Sequence, residues 1–334
     1  MQNEMLNKYK ALASYSIILL HCFDGNQSGV IAIIINALSR FAIPLYFMIS
    51  GYYSYKSENI TNDLIWRKVI HIVKFMLLAE LLYFSYFFSF SDLLYKYTNI
   101  KDFLLFSKWG QFCSGAGWFL CALLFCYLSL FIMRKVKDTK IPIIISVILL
   151  LLTFLIQIII DKNIPNYTQY TRNFWLTGFP LFYIGFFLKK YDKVFYRFSK
   201  QLIICIVIFS IIETLIVAFL CGLREIYIGS VFIAICILIY SNIYKRDKKT
   251  ILSVVGGSLS PYIYIFHLQI IWLLGDEIFN TNIGSYIKPI LACILSTMIS
   301  AVYLFATSSR LNNVCSIKNK LNFLGNTEIS GKQE

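Results

Sequence analysis

The sequence predicts an all-α, polytopic membrane protein with about ten transmembrane helices and both termini in the cytoplasm. Three observations carry this. The 334 residues are 58% hydrophobic and only 14% charged, with a mean hydropathy of +0.68. Apolar windows of helical length recur along the whole chain. Lys and Arg gather in alternate connections between those windows. A water-soluble domain is about half apolar and about a quarter charged, so this excess needs lipid as its solvent.

A hydrocarbon core of about 30 Å takes about 20 apolar residues of helix. Residues 141–160 give the clearest window, without a single charge. The others are 9–24, 30–52, 70–90, 115–134, 173–189, 201–221, 226–244, 255–274 and 287–307. Irregular backbone cannot face lipid, so each window is read as a helix. The first is short and carries His21, and it reads as a retained anchor because no small-residue cleavage pattern follows it. No repeat is visible, and no connection is long enough to hold an appended soluble domain. The organisation expected is one membrane domain over 1–310 and a cytoplasmic tail over 311–334.

Placing the N-terminus inside puts 23 Lys and Arg on the cytoplasmic side and seven outside, with Arg40 within a span. The positive-inside rule selects that orientation. It also accounts for the formal net charge of +14, so no nucleic-acid partner is expected. The nine cysteines lie mostly inside apolar runs, and no pair has metal-ligand spacing. They read as small hydrophobes, and no metal is expected. Sequons start at Asn26, Asn59 and Asn166, a pattern too common to carry weight.

Ionisable residues at membrane depth are costly, and they mark function more often than chance. Lys10 and His21 are eleven residues apart, three helical turns, so they share one face about 16 Å apart along the axis. With Lys10 at the inner interface, His21 falls near mid-bilayer. Arg40 in the second window, Glu80 in the third and Glu213 in the seventh each lie about ten residues into their spans. The four therefore converge on one layer, either around a wet cavity or as structural pairs such as Arg40 with Glu80. A histidine serves as a general base near neutral pH.

His267 stands in SLSPYIYIFH, where a packed histidine is the plain alternative to a site role. His71 lies beside Arg67, Lys68 and Lys74 and reads as part of a basic inner surface. Pro44 and Gly51 interrupt the second window, and Gly178, Pro180 and Gly185 the sixth. Interrupted helices often line cavities. Trp118 opens the fourth window, as an interface aromatic or a site residue.

Five stretches in order carry a resemblance. Lys10 and His21 have the arginine-to-histidine spacing of a first-span motif, with lysine in the arginine's place. RFAIPLYFMISGYY (40–53), GWFLCALLF (117–125), RNFWLTGFPLFYIGFFL (172–188) and LSPYIYIFH (259–267) follow. Over nearly the whole chain the sequence resembles the acyltransferase 3 family of bacterial membrane O-acyltransferases.

That resemblance implies transfer of an acyl group, usually acetyl from acetyl-CoA as a co-substrate, to a hydroxyl of a cell-surface or lipid-linked polysaccharide. It implies a bacterial inner-membrane location and no tightly bound cofactor. His21 would be the general base, with Lys10 and Arg40 as further catalytic groups. Lys10, Arg67 and Lys68 would meet the acyl-CoA phosphates. Lysine keeps the charge of the motif arginine but loses its planar fork. Glu80, Trp118, Arg172, Tyr264 and His267 would line the acceptor side. Expected partners are membrane lipid, acyl-CoA and the glycan. The alternatives are a transporter or flippase for a polar solute or lipid-linked sugar, a membrane helper in amino-acid handling, and an inactive assembly partner.

Overall fold

The computed structural model describes residues 3–23, 29–55, 61–86, 117–133, 140–160, 170–195, 197–245, 248–275 and 284–329. Every regular element among them is helical. The helices are α1 (Glu4–Cys22), α2 (Val30–Ser39), α3 (Ala42–Tyr52), α4 (Asn62–Tyr86), α5 (Gly117–Met133), α6 (Lys140–Ile159) and α7 (Phe179–Lys190). They continue with α8 (Asp192–Phe195), α9 (Lys200–Cys221), α10 (Ile228–Ile243), α11 (Ile251–Val254), α12 (Ser260–Leu274) and α13 (Gly284–Ile329). A π-helical turn, Phe174–Gly178, leads into α7, and a second, Val255–Leu259, joins α11 to α12.

Five stretches are long and apolar enough to cross a bilayer: Val30–Tyr52, Lys140–Ile159, Lys200–Cys221, Ile251–Leu274 and Tyr286–Ser308. Gly117–Met133 and Ile228–Ile243 are apolar but shorter. The protein is thus an all-α polytopic membrane protein, without the described helices establishing a count of ten. Helix limits differ from the apolar windows where polar residues continue a helix. Glu4 begins α1 because Asn3 caps it, accepting from the Leu6 N–H at 3.1 Å. α4 begins at Asn62, so Arg67 and Lys68 lie in its second turn, exposed, rather than in a connection. α13 runs on past the expected boundary at 310. The sequons lie outside the described residues.

The lipid-facing helices are built inside out. On α6 the buried residues are Pro142, Ser146, Thr153 and Gln157, while Ile144, Ile148, Leu151 and Leu155 are exposed. On α9 Ser210, Thr214 and Ala218 are buried, and Ile204, Ile208 and Phe209 are exposed. Small and hydroxyl residues let helices approach closely, and lipid solvates the branched chains. Ser146 and Ser210 each donate to the carbonyl four residues back at 2.7 Å, so the buried hydroxyls are satisfied.

Helix α1 is the hub, packed against α2, α3, α10, α12 and α13. Helices α3 and α7 cross with their backbones in close approach. A Cβ on Gly51 would stand 1.8 Å from the Phe182 carbonyl oxygen, and one on Gly185 2.0 Å from that of Met48. The second window breaks at Arg40 and Phe41, between α2 and α3. Pro44 explains the break, because it has no N–H to offer the Arg40 carbonyl four residues back.

Candidate active site

The break at Arg40 and the end of α1 meet. Asn36, one turn before Arg40, accepts from its Nε at 3.1 Å. The Asn36 amide nitrogen donates to the Phe23 carbonyl at 2.9 Å, two residues beyond His21. One buried amide thereby ties the arginine to the helix end that carries the histidine. Arg40 then donates through Nη1 to Glu225 at 2.7 Å. Arg172 takes the same carboxylate side-on, Nε to Oε2 at 2.7 Å and Nη2 to Oε1 at 2.9 Å.

Glu225 lies in the connection between α9 and α10, and Gln157 of α6 holds that connection in place. Its Oε1 accepts from the Glu225 and Ile226 N–H groups at 2.9 and 3.1 Å, and its Nε2 donates to the Ile226 carbonyl at 3.1 Å. Arg224 donates to the Gln157 backbone carbonyl. Burial alone would raise the Glu225 carboxyl. The Arg40 and Arg172 guanidinium groups outweigh that and hold it at about 2, so it is an anion.

His21 occupies the last turn of α1, and the charges of Arg40, Arg172 and Glu225 act on it. Its ring lies against His267 of α12, with centroids 5.2 Å apart and planes inclined by 42°. His267 is fully buried. Its Nδ1 is 2.6 Å from the Tyr264 carbonyl, a contact that requires a proton on Nδ1. Its Nε2 is buried without a hydrogen-bond partner. The Tyr264 ring stacks 5.6 Å from His267 and 5.2 Å from Phe119. Phe119 in turn packs 4.6 Å from Phe47.

The group is recessed. His267 has seven helical residues of α12 beyond it, about 10 Å, and Arg40 has the ten residues of α2 before it, about 15 Å. α1, α5, α7 and α10 end or begin near the level of the group, so helices of unequal length surround it. His21 itself is in the last turn of α1.

The structure brings together His21, His267, Arg40, Arg172 and Tyr264. Trp118 is buried beside Phe47, centroids 6.3 Å apart, and its neighbour Phe119 bridges to Tyr264. Glu80 of α4 lies within electrostatic range of Cys121 on α5. The carboxylate paired with Arg40 is Glu225, not Glu80. Glu213 is engaged at a helix start instead of with Arg40. It accepts from the Gly229 N–H at 2.7 Å and caps the start of α10, where helix dipole and free N–H groups favour an anion. Lys10 stays three turns below His21 on the same helix, and its carbonyl accepts from the Tyr46 hydroxyl at 2.7 Å. Arg67 and Lys68 sit on α4, which packs against α5 and α12. Glu225, Asn36, Gln157 and Phe119 escaped the sequence reading. Only the acid in LREIY, directly beside a cation, offered a signal, and cation counting passes over acids. Among the described residues no cluster of three His, Cys, Asp or Glu could hold a metal.

A histidine pair thus lies with the buried Arg40 and the part-buried Arg172 inside a helical membrane domain. The family model of an acyltransferase domain, acyltransferase 3, matches residues 6–306, and the chain belongs to that family. It is a membrane acyltransferase. Neither the curated proteins nor the solved structures contain a match to the chain.

Proposed function

We propose that this bacterial inner-membrane enzyme moves an acetyl group from acetyl-CoA to a hydroxyl of a cell-surface or lipid-linked polysaccharide, with His21 as general base. The observation that carries the reading is the His21 ring set against His267 at the recessed end of α1, which Asn36 ties to Arg40 and its ion pair. A sugar hydroxyl is a poor nucleophile. His21 takes its proton as the oxygen attacks the thioester carbonyl, and a C–O bond forms. The tetrahedral intermediate then collapses, the C–S bond breaks, and the His21 proton passes to the leaving thiolate.

The arginines serve the developing oxyanion or hold the acceptor. Donors fixed before the reaction cost no reorganisation when charge appears. Glu225 and Asn36 fix Arg40 in that sense. Tyr264 supplies an aromatic surface for a sugar ring, and Arg172, Glu80 and Trp118 belong to the same acceptor side. Lys10, with Arg67 and Lys68, receives the CoA phosphates at the cytoplasmic end. The thioester must then extend about 16 Å from Lys10 to His21.

The direct test is His21→Ala in membranes, read as O-acetylation of the resident glycan by mass spectrometry. Loss of acetylation at unchanged protein level is expected, by a factor of at least about a hundred. Normal acetylation would remove His21 from the mechanism. Absence of acetyl-CoA consumption by the wild-type chain, with the glycan present, would instead favour a transporter.

A further inference from the structure

We infer that His267 positions the base: its bare Nε2 accepts a hydrogen bond from the His21 ring and so selects the tautomer that presents an unprotonated nitrogen to the acceptor hydroxyl. This rests on the acyl-transfer reading above.

The order of the two rings follows from exposure. His267 is wholly buried, and His21 is partly exposed, so a substrate meets His21 first. The state of the inner ring follows from its neighbour. A carbonyl oxygen 2.6 Å from Nδ1 can only be an acceptor, so Nδ1 is protonated and Nε2 is a lone pair. That lone pair is buried without a partner among the described residues. Buried polar atoms are nearly always paired, and an orphan in a native site calls for an explanation. Among the described residues two titratable rings lie against His267, Tyr264 at 5.6 Å and His21 at 5.2 Å between centroids, and the nearer, His21, has an N–H to donate to that lone pair. Catalytic hydrogen bonds are often long or misaligned without substrate and tighten when it binds.

The resulting chain runs from the Tyr264 carbonyl through the His267 Nδ1–H to Nε2, then to an N–H of His21. The remaining His21 nitrogen then carries no proton and is the base. This is the general arrangement of a base oriented by a third group, with a neutral imidazole as the orienting group. During transfer only the outward His21 nitrogen gains and loses a proton. The protons of His267 do not move. As His21 becomes an imidazolium, the lone pair of His267 faces its inner N–H and stabilises it. A full negative charge is not needed at that place, because Glu225 already supplies one to the cluster.

The chain has three histidines, His21, His71 and His267, which makes it suited to nitrogen-15 histidine NMR of the full protein in detergent or nanodiscs. His71→Gln assigns the exposed third ring. The expected wild-type spectrum has His267 protonated at Nδ1 alone and His21 in a single tautomer. In His267→Phe, His21 becomes a tautomer mixture. In membranes with labelled acetyl-CoA and their resident glycan, kcat for His267→Phe falls about a hundredfold with KM for acetyl-CoA unchanged. His267→Gln, whose side-chain oxygen reaches the Nε2 position, recovers part of it, and His267→Asn does not. A wild-type His267 protonated at Nε2 overturns the inference, and that spectrum needs no variant to fold. So does an unchanged His21 tautomer in His267→Phe, or an unchanged kcat in that variant while His21→Ala is inactive. Full transfer by His21→Ala would sink the general-base reading and leave the spectrum to judge the hydrogen bond.

Discussion

Glu225 answers two arginines with one carboxylate, and its connection is clamped by Gln157 of α6. Forming a buried ion pair brings little net stability, but removing one partner strands the others. Glu225→Gln should cost about 3–5 kcal/mol, toward the lower end because Arg172 is partly exposed. Thermal unfolding in detergent measures it. The pH dependence has a definite sign. The folded carboxyl is held at about 2 against an ordinary 4.5, so its contribution is complete above about pH 4.5 and is lost as pH falls toward 2. The gap in thermal midpoint between wild type and Glu225→Gln should therefore narrow over that interval. A gap that stays constant down to pH 2 would mean the pair is not ionised in the fold. Glu225 was not legible in the sequence, because its partners lie 185 and 53 residues away and no periodicity marks a residue in a connection.

At the scale of elements, close approach of backbone decides the packing. Gly185→Ala would drive a Cβ to 2.0 Å from the Met48 carbonyl oxygen, and neither α3 nor α7 can yield there without separating. A loss of about 1–3 kcal/mol is expected for that overpacking, seen as a lower midpoint in thermal unfolding. Gly29→Ala meets nothing within 4 Å and should leave the midpoint unchanged. Equal midpoints for the two variants would refute the crossing. The sequence did mark these positions as interruptions of apolar windows. It did not show whether each glycine breaks a helix or lets two helices touch, and for Gly51 and Gly185 it is the second. The two π-helical turns were also illegible, since five residues are too few to separate their wider period from that of an α-helix. Each precedes a proline, Pro180 and Pro261, near the start of the next helix. One turn follows Arg172 closely. The other packs on α1 near Lys10, where a Cβ on Gly256 would meet the Asn7 carbonyl oxygen at 1.7 Å.

For the whole molecule, the orientation rests on 23 inner against seven outer cations. A reporter fused after Gln27 should read as external, and one fused after Lys56 as cytoplasmic. A cytoplasmic signal after Gln27 would overturn the orientation and with it the side from which His21 is reached. The inside-out helices α6 and α9 are consistent with spans in lipid, because exposed Ile and Leu at such density would aggregate in water.

Helical class, membrane setting and the face shared by Lys10 and His21 follow from the sequence by itself, because hydropathy and helical period are local properties. The five stretches in order pointed to the family that the chain belongs to. Which groups meet His21 was decided only in three dimensions. The Asn36 tie to Phe23, the pairing of Arg40 with Glu225 and the approach of His267 each join residues from separate helices or connections. Such contacts depend on how helices of unequal length cross, and crossing is set by small residues whose role is visible only once their neighbours are known.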